Sequence, residues 1–353
     1  MAALAGAWPR RRPVLPLLVL LTCVLVVSVV CAVVLGAAHV PPTDVLRLIA
    51  AALSGGWIDS TDVPAYQIVW EVRLPRVLLA AVVGAGLAVV GVASQALVRN
   101  ALADPFVLGV SSGASVGASA VIVFGVFAAL GIYALSVAAF LGALGATVLV
   151  YLVARSGNGI TPLRLVLTGT ALAYGFSAVT TALVFLAPRG DAARSALFWL
   201  LGSLGGATWQ SLPLAAAAVL GGCVYLLGNA RRLDALATGD ETAATLGVDP
   251  ASLRRSLFVV CAAVTGCVVA VSGAIGFVGL MVPHLVRMVV GAGHRRVLAV
   301  APLAGACLLI WVDLLARTLI APRELPLGVL TAALGVPVFV WLMHRRGYVF
   351  GGS

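Results

Sequence analysis

The sequence predicts an all-α polytopic membrane protein, a tightly packed bundle of about ten transmembrane helices. Three observations predict it. Of 353 residues, 62% are hydrophobic and 10% are charged, against roughly 45–50% and about 25% in a soluble domain. Twelve acidic and 22 basic side chains supply too little polar surface to keep the chain in water, so most of its outward surface must meet lipid. The apolar residues also gather into long runs, with the charges in the segments between them. Residues 1–353 therefore read as one transmembrane domain, with a single informative loop at 229–254.

The first run, Val14 to Ala38, follows Arg10-Arg11-Arg12-Pro13. It exceeds the roughly 7–15 apolar residues of a cleaved signal peptide and approaches the ~20 needed to cross a bilayer, so it reads as an uncleaved first helix. Nine further runs follow: Val77 to Val98, Pro105 to Leu130, Tyr133 to Val153, Leu163 to Leu186, Leu212 to Leu227, Leu257 to Ile275, Val278 to Val290, Val297 to Ile320 and Leu327 to Met343. The eighth span is short and begins in a Gly-rich segment, which predicts a broken or tilted helix packed against protein.

The net charge of +10 is carried wholly by Arg, with no Lys. The charges are too dispersed for a nucleic-acid surface. They orient the chain instead. With both termini cytoplasmic, the inner side collects Arg10, Arg11, Arg12, Arg99, Arg155, Arg164, Arg231, Arg232, Arg254, Arg255, Arg287, Arg295, Arg296, Arg345 and Arg346. The outer side holds Arg47, Arg73, Arg76, Arg189, Arg194, Arg317 and Arg323. That 15 to 7 split follows the positive-inside bias.

The six cysteines lie inside apolar runs without metal-ligand spacing, and read as small buried side chains. Glycine, at 39 residues, recurs in GASVG (Gly113, Gly117), GSLGG (Gly202, Gly206) and GAIGFVG (Gly273, Gly276, Gly279), where it predicts close helix contacts. Arg76 to Gln95 and Arg255 to Gly276 both run from Arg through an apolar helix into a Gly/Ser patch. They would cross the membrane in opposite directions, as a weak inverted repeat does.

Within the 229–254 loop, Thr238 followed by Glu241 reads as a capping box, and Gly247 with Pro250 beyond it ends the helix so started. This short helix at the inner surface carries Gly239, Asp240, Glu241, Ala243, Ala244 and Leu246. It reads either as a solvated connector or as a docking knob for a cytosolic protein. On the outer side Arg73, Arg76, Arg317 and Arg323 oppose the sidedness bias. Asp313 and Arg317 are spaced to pair on one helix, or these arginines receive carboxylates of an acidic partner. Both readings stand on physical grounds.

Few polar groups fall within the spans. Ser94, Gln95, Ser111, Ser112, Thr168, Thr170 and Ser177 are the candidates to line a pathway, although a lone Ser or Thr more often bonds its own helix. No acidic relay occupies the interior as a proton-driven carrier requires, and Asp313 lies near a span end. The four His are too scattered for a membrane-embedded enzyme or a metal site. A GxxxxGK[ST] phosphate loop is absent from the sequence, so no ATP chemistry is expected of this chain.

Four blocks carry a resemblance: Arg73-Leu-Pro-Arg76; Gln95 to Asp104-Pro105 leading into Leu108-Gly109-Val-Ser-Ser-Gly113-Ala114; Gly276-Phe-Val-Gly279-Leu-Met-Val-Pro283-His284-Leu-Val-Arg287; and Glu324-Leu-Pro326-Leu-Gly328 through Thr331 and Gly335 to Pro337. In this order they resemble the permease subunits of the ATP-binding cassette importers for iron-siderophores, haem and cobalamin, the FecCD family. Asn100 is followed by Ala101 where that family usually has Pro. The resemblance implies a permease domain of ten helices and no catalytic or metal site of its own. It implies pairing with a second permease copy or paralogue, a cytosolic ATPase dimer that uses ATP and Mg, and an extracytoplasmic substrate-binding protein. Asp240 to Leu246 would be the coupling helix, and Arg73, Arg76 and Arg317 would meet carboxylates of the binding protein. A ferric siderophore is the expected cargo, with haem or cobalamin the alternative and a secondary carrier the rival mechanism.

Overall fold

The computed structural model describes residues 14–36, 38–100, 103–104, 106, 109–155 and 161–345. Arg10, Arg11, Arg12, Pro105, Leu108 and Arg346 lie outside the described residues. Among the described residues every regular element is helical: α1 Val14–Val34, α2 Pro42–Ser54, α3 Val63–Tyr66, α4 Leu74–Val98, α5 Val110–Phe124, α6 Ala134–Ala154, α7 Pro162–Phe185, α8 Gly190–Leu200, α9 Leu212–Gly228, α10 Ala230–Ala237, α11 Asp240–Thr245, α12 Pro250–Ser272, α13 Val278–Val290, α14 His294–Thr318 and α15 Leu327–Arg345.

The ten apolar runs all become helices. Six elements (α1, α4 with its lead-in from Ser60, α6, α7, α12 and α14) are long and apolar enough to cross a bilayer. A seventh span forms if α9 is taken with α10, from which it bends by 64°. The remaining three are α5, α13 and α15. At ~1.5 Å per residue, α5 and α13 reach only about 20 Å of a ~30 Å hydrocarbon core. Before α13 the backbone at 273–277 is non-helical, and such backbone at membrane depth must be enclosed by protein. The expected short eighth span is α13, and the third span is also shorter than its apolar run.

Both short helices have a local cause. Left-handed Gly109 (φ 74°) precedes α5 and left-handed Gly125 (φ 68°) stops it. Left-handed Phe277 (φ 67°) precedes α13, and Gly291 ends it. Each follows a long helix, α4 or α12, so the two halves of the weak sequence repeat share one pattern: a long helix, a linker and a short helix. The linkers also touch. Asp104 accepts hydrogen bonds from the backbone amides of Phe106, at 2.9 Å, and of Phe277.

Helix α4 is the centre of the bundle, with α9, α12, α13 and α14 packed around it. Glycine allows that approach. A Cβ on Gly84 would strike the Gly305 carbonyl of α14, and one on Gly91 would strike the Gly279 carbonyl of α13. Gly113 and Gly117 similarly seat α5 on Gly142 and Ala138 of α6. The GSLGG cluster behaves otherwise, because it lies in the loop after α8; Gly202 packs on the α12–α13 linker and Gly206 faces open space. Peripheral α1 packs chiefly on α14. Cys23 on α1 is consequently exposed, while Cys261 and Cys307 are buried.

Four helices, α2, α3, α8 and α10, fall outside the elements the sequence predicts. The amphipathic α2 is held by Arg47, which bonds Asp62 at 2.8 Å, and α8 precedes the 201–211 loop. Near them, Tyr66, Trp70 and Trp209 form an aromatic cluster, with Trp209 Nε1 donating to the Trp70 carbonyl at 2.9 Å. Amphipathic rings of this kind mark a membrane interface.

Candidate functional site

The 229–254 loop folds into α10 and α11. The sequence expectation of a Thr238–Glu241 capping box is corrected: Gly239 (φ 120°) is the N-cap and makes no side-chain cap bond. Thr238 Oγ1 instead donates back to the Ala235 carbonyl at 2.7 Å, because α10 still runs to Ala237 and claims that hydroxyl. Gly247 (φ 77°) ends α11 as expected, whereas Pro250 opens α12, capped by Asp249 accepting from the Ala251 amide at 3.0 Å.

Asp240, the first residue of α11, fastens the loop. Its carboxylate receives both guanidinium nitrogens of Arg254 on α12, one at 2.8 Å, and Arg99 at the end of α4 stands 3.6 Å away. The fork of Arg254 suits a planar carboxylate and holds the Asp240 carboxyl below the usual carboxylate range. Asp234 of α10 makes a parallel tie, accepting from the His294 amide at 2.9 Å and meeting the His294 ring at 2.7 Å. The loop is thus bound to the ends of α4, α12 and α14. Ala243 is buried against this base, while Glu241, Thr242, Ala244, Thr245 and Leu246 project outward. Leu246 is 66% exposed, a large apolar side chain offered to the surroundings. Leu236, read as its companion, is instead fully buried.

At the opposite end of the bundle the expected arginines form an internal network. Arg76 donates from Nε to Asp313 at 2.9 Å and from both terminal nitrogens to Glu324 at 2.8 and 3.0 Å. Arg317 stands 3.4 Å from Asp313. Arg76 holds the Glu324 carboxyl below its ordinary range. Arg73 donates to the Val33 and Val34 carbonyls, each at 3.0 Å, and to that of Ala38. Arg317 donates to the Ala32 carbonyl. The last carbonyls of α1, left without helical partners, are therefore satisfied by two cations at the negative end of the helix. Gly36 gives Arg73 room, since a Cβ there would lie 2.7 Å from the guanidinium. Arg73, Arg76 and Arg317 are all buried. Arg323, by contrast, is exposed and has no side-chain partner among the described residues.

The pathway candidates divide. Ser94, Gln95 and Ser111 are buried in the bundle; the Gln95 amide donates to the Leu280 carbonyl at 3.3 Å and its oxygen accepts from Arg287. Ser112 and Thr168 are half-buried, and Thr170 and Ser177 are exposed. Sequence reasoning noticed the hydroxyl of Thr181 singly and missed Tyr174 on α7. Tyr174 and Thr181 complete a stripe at 170, 174, 177 and 181, spacings of four, three and four that share one helical face. Thr170 and Thr181 donate to their own backbone at 2.7 and 2.9 Å, leaving oxygen lone pairs outward. Helix α7 is as little buried as α1, yet it is the least hydropathic of the six long spans. A face that is both uncovered and hydroxylated suits water or another chain better than lipid.

Among the described residues no three potential metal ligands come together.

The FecCD transport family matches residues 24–345. The hemin transport system permease protein HmuU of Yersinia pestis is 44% identical over 82% of this chain and 87% of that protein. The cobalamin import system permease protein BtuC of Halobacterium salinarum is 44% identical over 80% and 74%, and the Fe(3+) dicitrate permease protein FecD of Escherichia coli is 41% identical over 79% and 86%. Among solved structures, an inward-facing metal-chelate type ABC transporter aligns with a TM-score of 0.80 and 34% identity, covering 94% of this chain and 99% of its own.

Proposed function

Because this multi-pass membrane chain belongs to the FecCD transport family of ABC permeases, we propose that it is the permease subunit of an importer passing a ferric siderophore inward by alternating access. The observation that carries the coupling part of this reading is the mounting of α11, an outward knob fastened to α4, α12 and α14. A cytosolic ATPase dimer seats the exposed Leu246 and its neighbours. Closure of that dimer on ATP and Mg displaces α11, and the Asp240–Arg254 and Asp234–His294 ties pass the displacement to the long helices. A rigid-body rocking of one bundle against its partner follows. The loop and both termini then lie in the cytoplasm, as the Arg distribution supports.

The hydroxyl stripe of α7 is the pathway wall, facing the same stripe of a second permease copy or paralogue. On the outer side Arg323 is the first contact for a carboxylate of the binding protein. Arg73, Arg76 and Arg317 shape that surface from beneath and engage only where a partner carboxylate displaces their internal acceptors. The relatives named for hemin and for cobalamin are equally identical to this chain, so cargo choice is assigned to the binding protein. The ligand it retains on purification distinguishes siderophore from haem or cobalamin.

Uptake into proteoliposomes holding the permease and its ATPase should require ATP and binding protein together; ATP-independent uptake would overturn the reading in favour of a secondary carrier. Leu246→Glu should abolish co-purification of the ATPase without moving the thermal midpoint of the permease, since an exposed substitution usually changes stability by no more than ~0.5 kcal/mol.

A further inference from the structure

Helices α6 and α12 leave between them an apolar groove of about 300 Å³ that no residue of α7 lines. Its floor is Phe258 and Tyr151, whose rings lie 6.3 Å apart. Its rims are Leu144, Val148 and Val259, each roughly half exposed. The groove has one charged lining residue, Arg255, at the end nearest α11. Arg255 is exposed and makes no ion pair or side-chain hydrogen bond among the described residues, unlike its neighbour Arg254, which is bound to Asp240. Arg155, also exposed, follows α6 on the same side of the membrane.

The dimensions are those of one bilayer leaflet. From Arg255 to Ala263 along α12 is about 12 Å, and from Tyr151 to Phe140 along α6 about 16 Å. Half of a ~30 Å hydrocarbon core is ~15 Å. A cation without an acid partner thus stands where lipid headgroups lie, and an aliphatic channel of acyl-chain length descends from it. We propose that this groove binds one anionic phospholipid, its phosphate on Arg255 and one acyl chain between α6 and α12. The complementarity of charge at one end and apolar surface along the rest selects this occupant over a second copy of the chain. Neither α7 nor any of the pathway candidates lines this site.

The test uses the full-length chain in nanodiscs of phosphatidylcholine carrying a small fraction of either phosphatidylglycerol or phosphatidylcholine with a diazirine in the acyl chain. Adducts are mapped by mass spectrometry. Phosphatidylglycerol should label residues 140–151 and 255–263 about fivefold more than phosphatidylcholine, the factor expected of one basic residue near anionic headgroups. Arg255→Gln should abolish that preference and Arg255→Lys should retain it. Ala263→Trp, at an exposed position on the groove, should block labelling by both lipids. Equal labelling by the two lipids in the native chain, or an undiminished preference in Arg255→Gln, would show annular lipid only and overturn the proposal, as would chain-to-chain contact covering the groove.

Discussion

At the scale of single residues, burial decides which charges matter. Asp313 is almost wholly enclosed between two buried arginines, so Asp313→Asn leaves Arg76 and Arg317 short of an anion. A broken buried pair costs about 3–5 kcal/mol, and the thermal midpoint in detergent should fall accordingly. Asp240 is also bonded to a buried arginine, yet its own side chain is 43% exposed and water screens the loss. Asp240→Asn should therefore cost well under half as much in the same measurement while impairing uptake more. The pH dependence follows from the direction of the shift. Asp240 is depressed in the folded chain, so its stabilisation is complete above the unfolded value of ~3.9 and is lost only as pH falls through the lower folded value. Thermal midpoints measured between pH 5 and 8 should show no step that Asp240→Asn removes. The fates of the arginines were only half legible. The Asp313–Arg317 spacing pointed to the pair, but Arg73 is satisfied by main-chain carbonyls of α1 nearly 40 residues earlier, and a carbonyl has no signature in a sequence.

At the scale of elements, helix existence was legible and helix extent was not. Every hydropathic run proved helical, and six of the ten helices are long and apolar enough to cross a bilayer, seven if α9 is taken with α10. The runs overran α5, whose ends are set by left-handed glycines at 109 and 125, and they missed α2, α3, α8 and α10, all too short to register as spans. The hydroxyls of α7 were noticed singly, while the spacing that groups them became persuasive only once that face proved uncovered. Two predictions belong here. Gly84→Ala should force α4 from α14 and destabilise the chain by about 1–3 kcal/mol, whereas Gly145→Ala, with open space around it, should leave the midpoint unchanged or slightly raised; equal midpoints would refute close approach at Gly84. In a background lacking the native cysteines, Tyr174→Cys and Ser177→Cys should react with a membrane-impermeant maleimide in the assembled transporter, and Val19→Cys on lipid-facing α1 should not.

At the scale of the whole molecule, an ion-paired arginine stands at each end of one helix. One end of α4 carries Arg76, tied to Asp313 and Glu324. The other carries Arg99, drawn to Asp240. Between them, glycine contacts set α4 directly on the backbones of α13 and α14. That arrangement resists bending and favours movement of the packed helices as one body. It also has a thermodynamic corollary. A load taken up at either end of such a member is felt at the other, and coupling between two binding events is reciprocal. Whatever factor nucleotide-driven closure imposes on the outer face's affinity for its protein ligand, that ligand must impose on nucleotide affinity in return. In the importer proposed above, α4 would make receptor and fuel heterotropic effectors of one another.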